Sequence, residues 1–346
     1  MAPLMRKTRV TAAEVAKLAG VSQPTVSRVF TPNSKVSKEK QEWVRDAAQQ
    51  LGYLPNTLAR SLNTGRSRTI GIVLAYLKNP FYTEALEKLS AGFRAHGYHI
   101  MTFFASNMAE DVDEVVEDLL AHQVDGIILA SVSMSNTLTG RLQHYGIPFV
   151  LFNRGQPDRS LASVTAANFD GGRRAAEFLV AGGHKHIAHI AGWQKSLNGR
   201  ERRAGFLAGL QEAGLAPFHV VDCHYRRAVA VEATRNLFSG PRVPDAIFVG
   251  NDHMAFAVLE TLREDLGLSV PGDVSVVGYD DVAMAAWKTF DLTTLRQPAN
   301  RMAEATVSIL LSMIENGAAS PGRIEIESAL VIRGSARIPK GLTRNA

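Results

Sequence analysis

The sequence has few of the features that mark secreted, disulfide-bonded or membrane proteins. Among its 346 residues only Cys223 is a cysteine, which excludes an internal disulfide framework and a metal site built from several cysteines. No apolar run approaches the roughly 18 residues that span a bilayer, and the first ten residues contain no continuous apolar segment of a secretory signal. These absences predict a soluble cytoplasmic protein without a membrane partner.

Positive charge is concentrated at the start of the chain. The net charge is +5, yet residues 1–68 hold 12 Lys and Arg against 4 Asp and Glu, and the remainder has a small acidic excess. A basic segment on a mildly acidic remainder indicates that this segment alone binds a polyanion. A solvated basic tail would have the same composition, so polyanion binding is favoured only if the segment also shows the signals of a folded domain.

The basic segment carries the signals of three short helices. Thr11 followed by Glu14 is a capping-box pattern, and Gly20 suits the end of the first helix. Ser37 begins a third helix that stops at Gly52. The residues predicted to face inward are Val15, Ala16, Ala19, Val26, Val29, Phe30, Val44, Ala47, Ala48 and Leu51.

The second of these helices contains a proline near its start. With Ser22 as the cap, Pro24 falls in the first turn, where backbone N–H groups lack partners inside the helix. Gln23 is the alternative cap, because it would put Pro24 at the first helical position. Ser22 is favoured, and in either case Pro24 does not break the helix.

Three short helices with a tight glycine-containing turn between the first two predict a helix-turn-helix. Its second helix places its first residues against base edges in the major groove, where Gln pairs with adenine and Arg with guanine. Residues at the ends of the helices can hold phosphates. A three-helix bundle without a ligand is the alternative. The predicted DNA contacts of the head are Thr11, Ser22, Gln23, Pro24, Thr25, Ser27, Arg28, Lys35 and Tyr53.

Two stretches of this segment, "AAEVAKLAGVSQPTVSRVF" and "LGYLPNTLARSLNTGRS", resemble the DNA-binding head of the LacI/GalR family of bacterial transcriptional regulators. The patterns "VA..AGVS..TVSRV" and "LGY.PN..AR.L" are specific in combination, and looser similarity continues to the end of the chain. The resemblance implies a helix-turn-helix head on a two-lobed body like that of the periplasmic sugar-binding proteins.

Residues 55–68 separate the head from the body. Only about eight residues lie between Asn56 and Gly65, and an isolated helix this short is marginal in water, so we expect it to form on binding. The resemblance implies a hinge helix that pairs with its twin across a dimer and enters the minor groove, with Leu62 as a wedge that bends the DNA. A plain linker is the alternative. The implied contacts are Asn56, Ala59, Arg60 and Leu62.

From residue 69 onward, short apolar runs such as "TIGIVLAYL", "GIILAS", "AIFVG" and "VSVVGYD" alternate with amphipathic stretches. This alternation predicts parallel sheets covered by helices on both faces, in two similar halves with a ligand cleft at the carboxyl ends of the strands. The predicted fold is therefore an all-α helix-turn-helix head (1–54), a hinge (55–68) and an α/β two-lobed body of two parallel-sheet subdomains (69–346).

Polar and aromatic residues that follow these strands are the candidates for effector binding. Carboxylate, amide and guanidinium groups around aromatic faces suit a ligand whose hydroxyls both donate and accept. Helix-start packing is the alternative for Phe81 and Tyr82, and helix capping for Asn251. The resemblance implies that Arg202 grips the effector and that Tyr225 forms an aromatic wall. The candidates are Phe81, Tyr82, Ser131, Asn153, Arg202, Tyr225, Asn251 and Asp280.

Enzymatic and metal-binding functions find little support. His184, His186 and His189 invite a metal site, but the strand pattern places the last two on opposite faces, and no nearby carboxylate or cysteine completes a site. The chain lacks GxSxG, phosphate-loop and GxGxxG motifs. We therefore expect neither catalysis nor a cofactor.

The sequence predicts a ligand-responsive repressor of carbohydrate or related catabolic genes that binds a near-palindromic operator as a homodimer. The expected effector is a sugar, a sugar acid or a similar polar metabolite. Arg226 and Arg227 suggest an acidic ligand, although surface arginines explain them equally well. The alternatives are a purine-like or sugar-acid co-repressor and, in a different class, a cytosolic sugar-binding protein without regulation.

Overall fold

The computed structural model describes residues 10–30, 35–54, 66–106, 109–132, 135–156 and 158–344. The chain divides into two compact units, Met1–Arg68 and Thr69–Ala346. Within the described residues, no helix combines the length and the apolar character needed to cross a membrane.

The first unit contains three helices, α1 (Ala12–Leu18), α2 (Gln23–Val29) and α3 (Lys38–Leu51). The capping box of α1 is formed, because the Glu14 carboxylate accepts the Thr11 N–H at 2.7 Å and the Thr11 hydroxyl accepts the Glu14 N–H at 3.3 Å. Helix α3 ends at Gly52, whose φ of 64° lies in the left-handed region that glycine adopts without strain.

Ser22 occupies the cap position of α2, as predicted. Its hydroxyl lies 2.9 Å from the Thr25 hydroxyl instead of accepting a backbone N–H. The Ser22 carbonyl accepts the Thr25 N–H at 2.9 Å, so the first turn closes even though Pro24 has no N–H. Pro24 therefore costs the helix no hydrogen bond.

Valines at the centre of the three helices form the core of this unit. Val15, Val26 and Val44 are fully buried. The prediction that Leu51 faces inward was wrong, since its side chain is 36% exposed at the last position of α3. The chain reverses at Gly52, and the Tyr53 ring packs against Phe30 with centroids 5.9 Å apart.

The second unit alternates strands and helices, as predicted. Its strands are β1 (Thr69–Leu74), β2 (His99–Phe104), β3 (Gly126–Ala130), β4 (Phe149–Phe152), β5 (Ser163–Ala166), β6 (Ile187–Ala191), β7 (His219–Asp222), β8 (Ala246–Val249), β9 (Ser275–Asp280), β10 (Thr293–Arg296), β11 (Arg323–Ile326) and β12 (Leu330–Val331). Its helices are α4 (Pro80–Ala95), α5 (Ala109–Ala121), α6 (Asn136–His144), α7 (Asn168–Ala181), α8 (Leu197–Glu212), α9 (Arg227–Leu237), α10 (Asp252–Glu260) and α11 (Ala299–Asn316).

These strands form two six-stranded sheets, in the orders β11-β5-β4-β3-β1-β2 and β12-β10-β9-β8-β6-β7. All pairings are parallel except that of β10 with β12. We call the first sheet with its helices the first lobe and the second sheet with its helices the second lobe. The chain crosses between the lobes after β5, after β10 and after β11.

Both sheets are covered on both faces, which is why strands such as β1 are apolar throughout. Ile70 and Ile72 of β1 face one core, and Val73 faces the other. At Gly71 a Cβ would lie 2.1 Å from Leu119 Cδ2 of α5, so any other residue would displace the Leu119 side chain. Five strands were not predicted: β5, β7, β10 and β11 each mix polar residues into a run of four, and β12 has only two residues.

Candidate functional site

A cavity lies between the two lobes at the carboxyl ends of their strands, with about 530 Å³ of empty space including the part open to solvent. We call it the cleft cavity. It is lined by Tyr76, Asn79, Tyr82, Ser131, Asn153, Arg154, Trp193, Ser196, Asn198, Arg202, His224, Tyr225, Asn251, Asp280 and Gln297. Both sheets supply residues just after their strands, which is the expected position of a ligand site in such folds.

The backbone is strained where it enters the cavity wall. Ser131 and Asn153, which follow β3 and β4, have φ of 59° and 51°, and Asp280 at the end of β9 has φ of 134°. Tyr225 also has a positive φ, of 59°. Such conformations cost roughly 1–3 kcal/mol each and cluster at binding sites, because the strand must turn sharply to present its side chain.

Arg202 of α8 holds the second lobe together beneath the cavity. Its Nε donates to Asn168 Oδ1 at 2.9 Å and its Nη1 to the Gly250 carbonyl at 2.7 Å. The guanidinium carbon lies 3.6 Å from the centre of the Tyr279 ring. Three partners thus fix the orientation of the flat, charged group in the cavity wall.

Asp280 is the buried carboxylate of the cavity. Asn79 donates to Oδ2 at 2.9 Å, Gln297 donates to Oδ1 at 2.6 Å, and Arg202 Nη1 is 3.8 Å from Oδ1. Burial raises the pKa of Asp280, while Arg202 and the two amide donors lower it. Behind it lies Asp252, whose pKa is raised by burial and by the charge of Asp280.

Two tyrosines form the aromatic walls. Burial raises the pKa of Tyr82 to about 12, and its hydroxyl accepts a hydrogen bond from Asn153 Nδ2 at 3.0 Å. Tyr225 packs over Gly192, where a Cβ would lie 2.1 Å from the tyrosine ring. The glycine is therefore required for the ring to reach the cavity.

The lobes touch across the cleft through side chains of the cavity. Tyr76 of the first lobe donates to the Tyr225 carbonyl of the second. Asn198 of α8 donates to the Asn153 carbonyl at 2.8 Å. Together with the bond from Asn79 to Asp280, these contacts hold the two lobes around the cavity.

Two amide oxygens in the wall have no hydrogen-bond partner among the described residues. They are Asn198 Oδ1 and Gln297 Oε1, on side chains that are 7% and 4% exposed. The orientation of Gln297 is determined by its NH₂ group, which must donate to the Asp280 carboxylate. A buried acceptor without a partner costs about 1–3 kcal/mol, so both oxygens are sites of stored strain in the cavity wall.

Seven of the eight predicted effector contacts line the cavity. Phe81 does not; it is 1% exposed and stacks on Phe152 with centroids 6.3 Å apart, so it supports its neighbour Tyr82. Asn251 lines the cavity and also caps α10 by accepting the Met254 N–H at 3.0 Å. Whether these side chains contact an effector stays a prediction.

Sequence reasoning missed eight residues of the wall. Three were next to predicted ones and could have been found there: Asn79 opens the "NPFY" motif, Arg154 follows Asn153, and His224 precedes Tyr225. The other five had no local signal, because the folding of distant segments brings them to the cavity. These are Tyr76, Trp193, Ser196, Asn198 and Gln297.

The basic pair after Tyr225 lies outside the wall. Arg227 forms an ion pair with Glu260 at 2.6 Å, and Arg226 occupies the cap position of α9.

Two of the histidines considered for a metal site lie in different surroundings. His189 is buried against Phe248, with ring centroids 4.7 Å apart, whereas His186 is exposed beside Phe218. No cluster of three metal-ligating side chains occurs among the described residues.

The first residues of α2 form an exposed polar surface on the head. Gln23, Pro24, Ser27 and Arg28 are exposed, and Thr25 is half-buried. Ser22, Thr11 and Lys35 are also exposed, although the Thr11 hydroxyl donates to Glu14, and Tyr53 is half-buried. The hinge contacts predicted at Asn56, Ala59, Arg60 and Leu62 lie outside the described residues.

The sequence matches the profile of the bacterial regulatory proteins of the lacI family over residues 11–56, and that of a periplasmic binding protein-like domain over residues 176–336. It is 32% identical to the HTH-type transcriptional repressor PurR of Edwardsiella ictaluri over 326 residues, 93% of this chain and 95% of that one. The chain belongs to the LacI/GalR family. The ribose operon repressor of Escherichia coli K12 is 31% identical, over 93% of this chain and 98% of that protein.

Solved structures agree with this membership. The lac repressor dimer bound to operator and the anti-inducer ONPF matches with a TM-score of 0.86 at 28% identity, over 95% of this chain and 99% of that one. The complex of the transcriptional regulator CelR with cellobiose matches at 0.70 and 32% identity, over 95% and 100% of the two chains. The predicted fold and the predicted function, a ligand-responsive DNA-binding repressor of the LacI/GalR family, are confirmed.

Proposed function

We propose that the cleft cavity of this LacI/GalR family member binds a small polyhydroxylated metabolite, and that its occupancy controls operator binding. The observation that carries the proposal is the polar lining of the cavity, where the Asp280 carboxylate, the Arg202 guanidinium and several side-chain amides come together. A sugar-like ligand brings several hydroxyls into a small volume, and each of them can donate to a carboxylate or amide oxygen while accepting from Arg202 or an amide NH₂.

Coupling to the rest of the molecule follows from the connections between the lobes. Gln297 lies on the crossover after β10, and Asn168, which accepts from Arg202, lies on the crossover after β5. Ser328, on the crossover after β11, lies 3.0 Å from the Tyr279 hydroxyl beneath Arg202. A ligand that binds Arg202 and Gln297 therefore acts on all three crossovers between the lobes together. The effector and the operator then change each other's affinity by the same factor.

We propose further that the protein binds a near-palindromic operator as a homodimer, with residues 1–54 as the DNA-binding head, 55–68 as the hinge and 69–346 as the effector-binding and dimerisation domain. The exposed Gln23 and Arg28 on α2 support the head assignment, and the lac repressor dimer bound to operator supports the assembly by similarity. A sugar-type effector is favoured, because carboxylate, amide and guanidinium groups together match hydroxyls, each of which both donates and accepts.

The test combines operator binding with a ligand panel. An operator is selected from a random pool of duplexes, and the affinity of the full-length protein is measured by fluorescence anisotropy with pentoses, hexoses, disaccharides, sugar acids and purines. We expect one class to change operator affinity. Asn198→Leu and Gln297→Leu are each expected to weaken effector binding by about 1–3 kcal/mol, while both variants still bind the operator without effector.

Gln211→Leu, on the exposed surface of α8, is the matched control and is expected to behave as the native protein. An unchanged effector response in both cavity variants would contradict the assignment of the site. Chemical turnover of the effector by pure protein would contradict a pure binding function.

A further inference from the structure

Arg154 brings a second guanidinium into the cleft cavity. It follows Asn153 after β4, its side chain is 6% exposed, and its guanidinium carbon lies 5.2 Å from the centre of the Trp193 ring. Arg154 belongs to the first lobe and Trp193 to the second, so this cation–π contact closes one side of the cavity. Burying a guanidinium costs desolvation free energy, so a buried arginine in a ligand site indicates a specific role there.

The backbone around Arg154 is held in place by the second lobe. Asn153 has a φ of 51°, and its carbonyl accepts from Asn198 Nδ2 at 2.8 Å. At Gly155 a Cβ would lie 2.8 Å from Leu197 Cδ2, so the chain passes close against the start of α8. Arg154 is therefore fixed beside the first turn of that helix.

The electrostatics of this side of the cavity are positive. Helix α8 is 16 residues long and has no acidic residue in its first turn, so the positive end of its dipole is not offset there. Ser196 and Asn198 from this end line the cavity next to Arg154. Among the described lining residues two, Arg154 and Arg202, are arginines and one, Asp280, is a carboxylate, so the lining has more positive than negative side chains.

The remaining polar groups of the wall specify the rest of the ligand. The Asp280 carboxylate with the amides of Asn79 and Gln297 beside it offers both acceptors and donors, which hydroxyls match. A guanidinium offers only donors, and it pairs best with a carboxylate or phosphate, which accept two parallel hydrogen bonds. Arg154 therefore suits an anion, and the side chains grouped around Asp280 suit hydroxyls.

We propose that Arg154 is a specificity-determining residue that binds an anionic group, so that the effector is a polyol carrying a carboxylate or a phosphate. This inference rests on the proposed function of the cavity and names its ligand class. A sugar acid and a sugar phosphate share the required chemistry, and the experiment distinguishes them.

The first test compares matched ligands by isothermal titration of the full-length protein. The pairs are D-gluconate with D-glucitol, D-glucuronate with D-glucose, and D-glucose 6-phosphate with D-glucose. We expect an acidic member to bind at least about 10-fold more tightly than its neutral partner, as a charge-assisted hydrogen bond implies. A response to the carboxylates alone identifies a sugar acid, and a response to the phosphate alone a sugar phosphate. Equal or weaker binding by every acidic member overturns the proposal.

The second test removes the charge. Arg154→Gln is expected to weaken the acidic ligand by about 10- to 100-fold and to leave its neutral partner unaffected, while Arg154→Lys retains part of the preference because it keeps the charge but not the planar fork. Arg141→Gln, a surface arginine of the same lobe paired with Glu117, is the control and is expected to change nothing. Unaltered discrimination in Arg154→Gln, or in Arg154→Lys if the first variant does not fold, would refute the role of Arg154.

A third measurement separates this inference from the proposed function. A protein-free metabolite extract is tested for its effect on operator binding before and after passage over an anion-exchange resin. Activity that the resin retains supports an anionic effector, and activity in the flow-through overturns it while leaving the proposed effector function intact. An extract without any effect contradicts the proposed function itself.

Discussion

At the scale of single residues, two buried carboxylates lie close together, Asp280 in the cavity wall and Asp252 behind it. Asp252 is fully buried at the start of α10, where it accepts from the Thr294 hydroxyl at 2.6 Å and from the Val282 N–H at 3.1 Å. Burial and the neighbouring Asp280 raise its pKa. The folded protein thus retains a proton that the unfolded chain loses near pH 4.

This raised pKa predicts a pH-dependent stability. A carboxyl whose pKa is raised on folding stabilises the protein fully below its unfolded pKa, and that contribution is lost as the pH rises through the folded pKa. Asp252→Asn keeps a neutral side chain that satisfies Thr294 and Val282. We expect its melting temperature to fall less than that of the native protein between pH 5 and pH 9.

Thermal unfolding of both proteins across this range measures the difference. Burial lowers the pKa of His189 to about 4, so its effect on stability falls at the acidic side. Both proteins contain His189, and this effect therefore cancels in the comparison. Parallel curves for the two proteins would show that Asp252 does not retain its proton.

At the scale of secondary-structure elements, the site depends on how closely α7 and α8 approach. At Gly205 of α8 a Cβ would lie 1.8 Å from the Phe169 carbonyl, and at Gly172 of α7 it would lie 2.1 Å from the Arg202 carbonyl. Because α8 also carries Arg202, the glycines that bring the helices together position the guanidinium as well.

Gly205→Ala is therefore expected to destabilise the protein by at least about 2 kcal/mol and to weaken effector binding, since overpacking moves α8 and Arg202 together. The control is Gly140→Ala on α6, where a Cβ meets nothing within 4 Å. That variant is expected to gain up to about 1 kcal/mol from helix propensity, with effector binding unchanged. Denaturant unfolding and ligand titration check both variants, and native behaviour of Gly205→Ala would show that α7 and α8 separate freely.

A second element to test is α2 of the head. Gln23→Ala and Arg28→Ala are each expected to lose about 1–3 kcal/mol of discrimination at one operator base pair, because their exposed side chains can form bidentate contacts with bases. Binding to operators substituted at single positions measures this, with Arg45→Ala on α3 as the control. Uniform weakening on all sequences would mean that the two side chains contact only phosphates.

At the scale of the whole molecule, the division into two units predicts separable activities. The unit Thr69–Ala346 has its own cores on both faces of each sheet. A fragment of these residues is expected to fold, to bind the effector with native affinity and to lack operator binding. Saturation at 100 times Kd is expected to stabilise it by about 2.7 kcal/mol in thermal unfolding. A fragment that needs the first 68 residues in order to fold would contradict this division.

Much of the architecture could be predicted because its signals are local. A capping box or a glycine stop acts within one turn of helix, as at Thr11 and Gly52, and an apolar run such as β3 is buried wherever its sheet forms. Residues that directly follow a buried strand must lie at the carboxyl edge of the sheet, which is why Ser131 and Asn153 could be named in advance.

Other features depended on the packing of segments far apart in the chain. Two neighbouring residues of α4 have different surroundings, since Phe81 stacks inside the first lobe and the Tyr82 hydroxyl accepts from Asn153 in the cavity wall. Gln297 and Trp193 enter the cavity only because the lobes come together. The sequence alone therefore determined the family, the order of elements and most strand-end residues, which rest on local hydrogen bonding and burial. Only the tertiary structure decided which arginine lines the cavity, Arg154 rather than Arg226, because that depends on which distant side chains surround it.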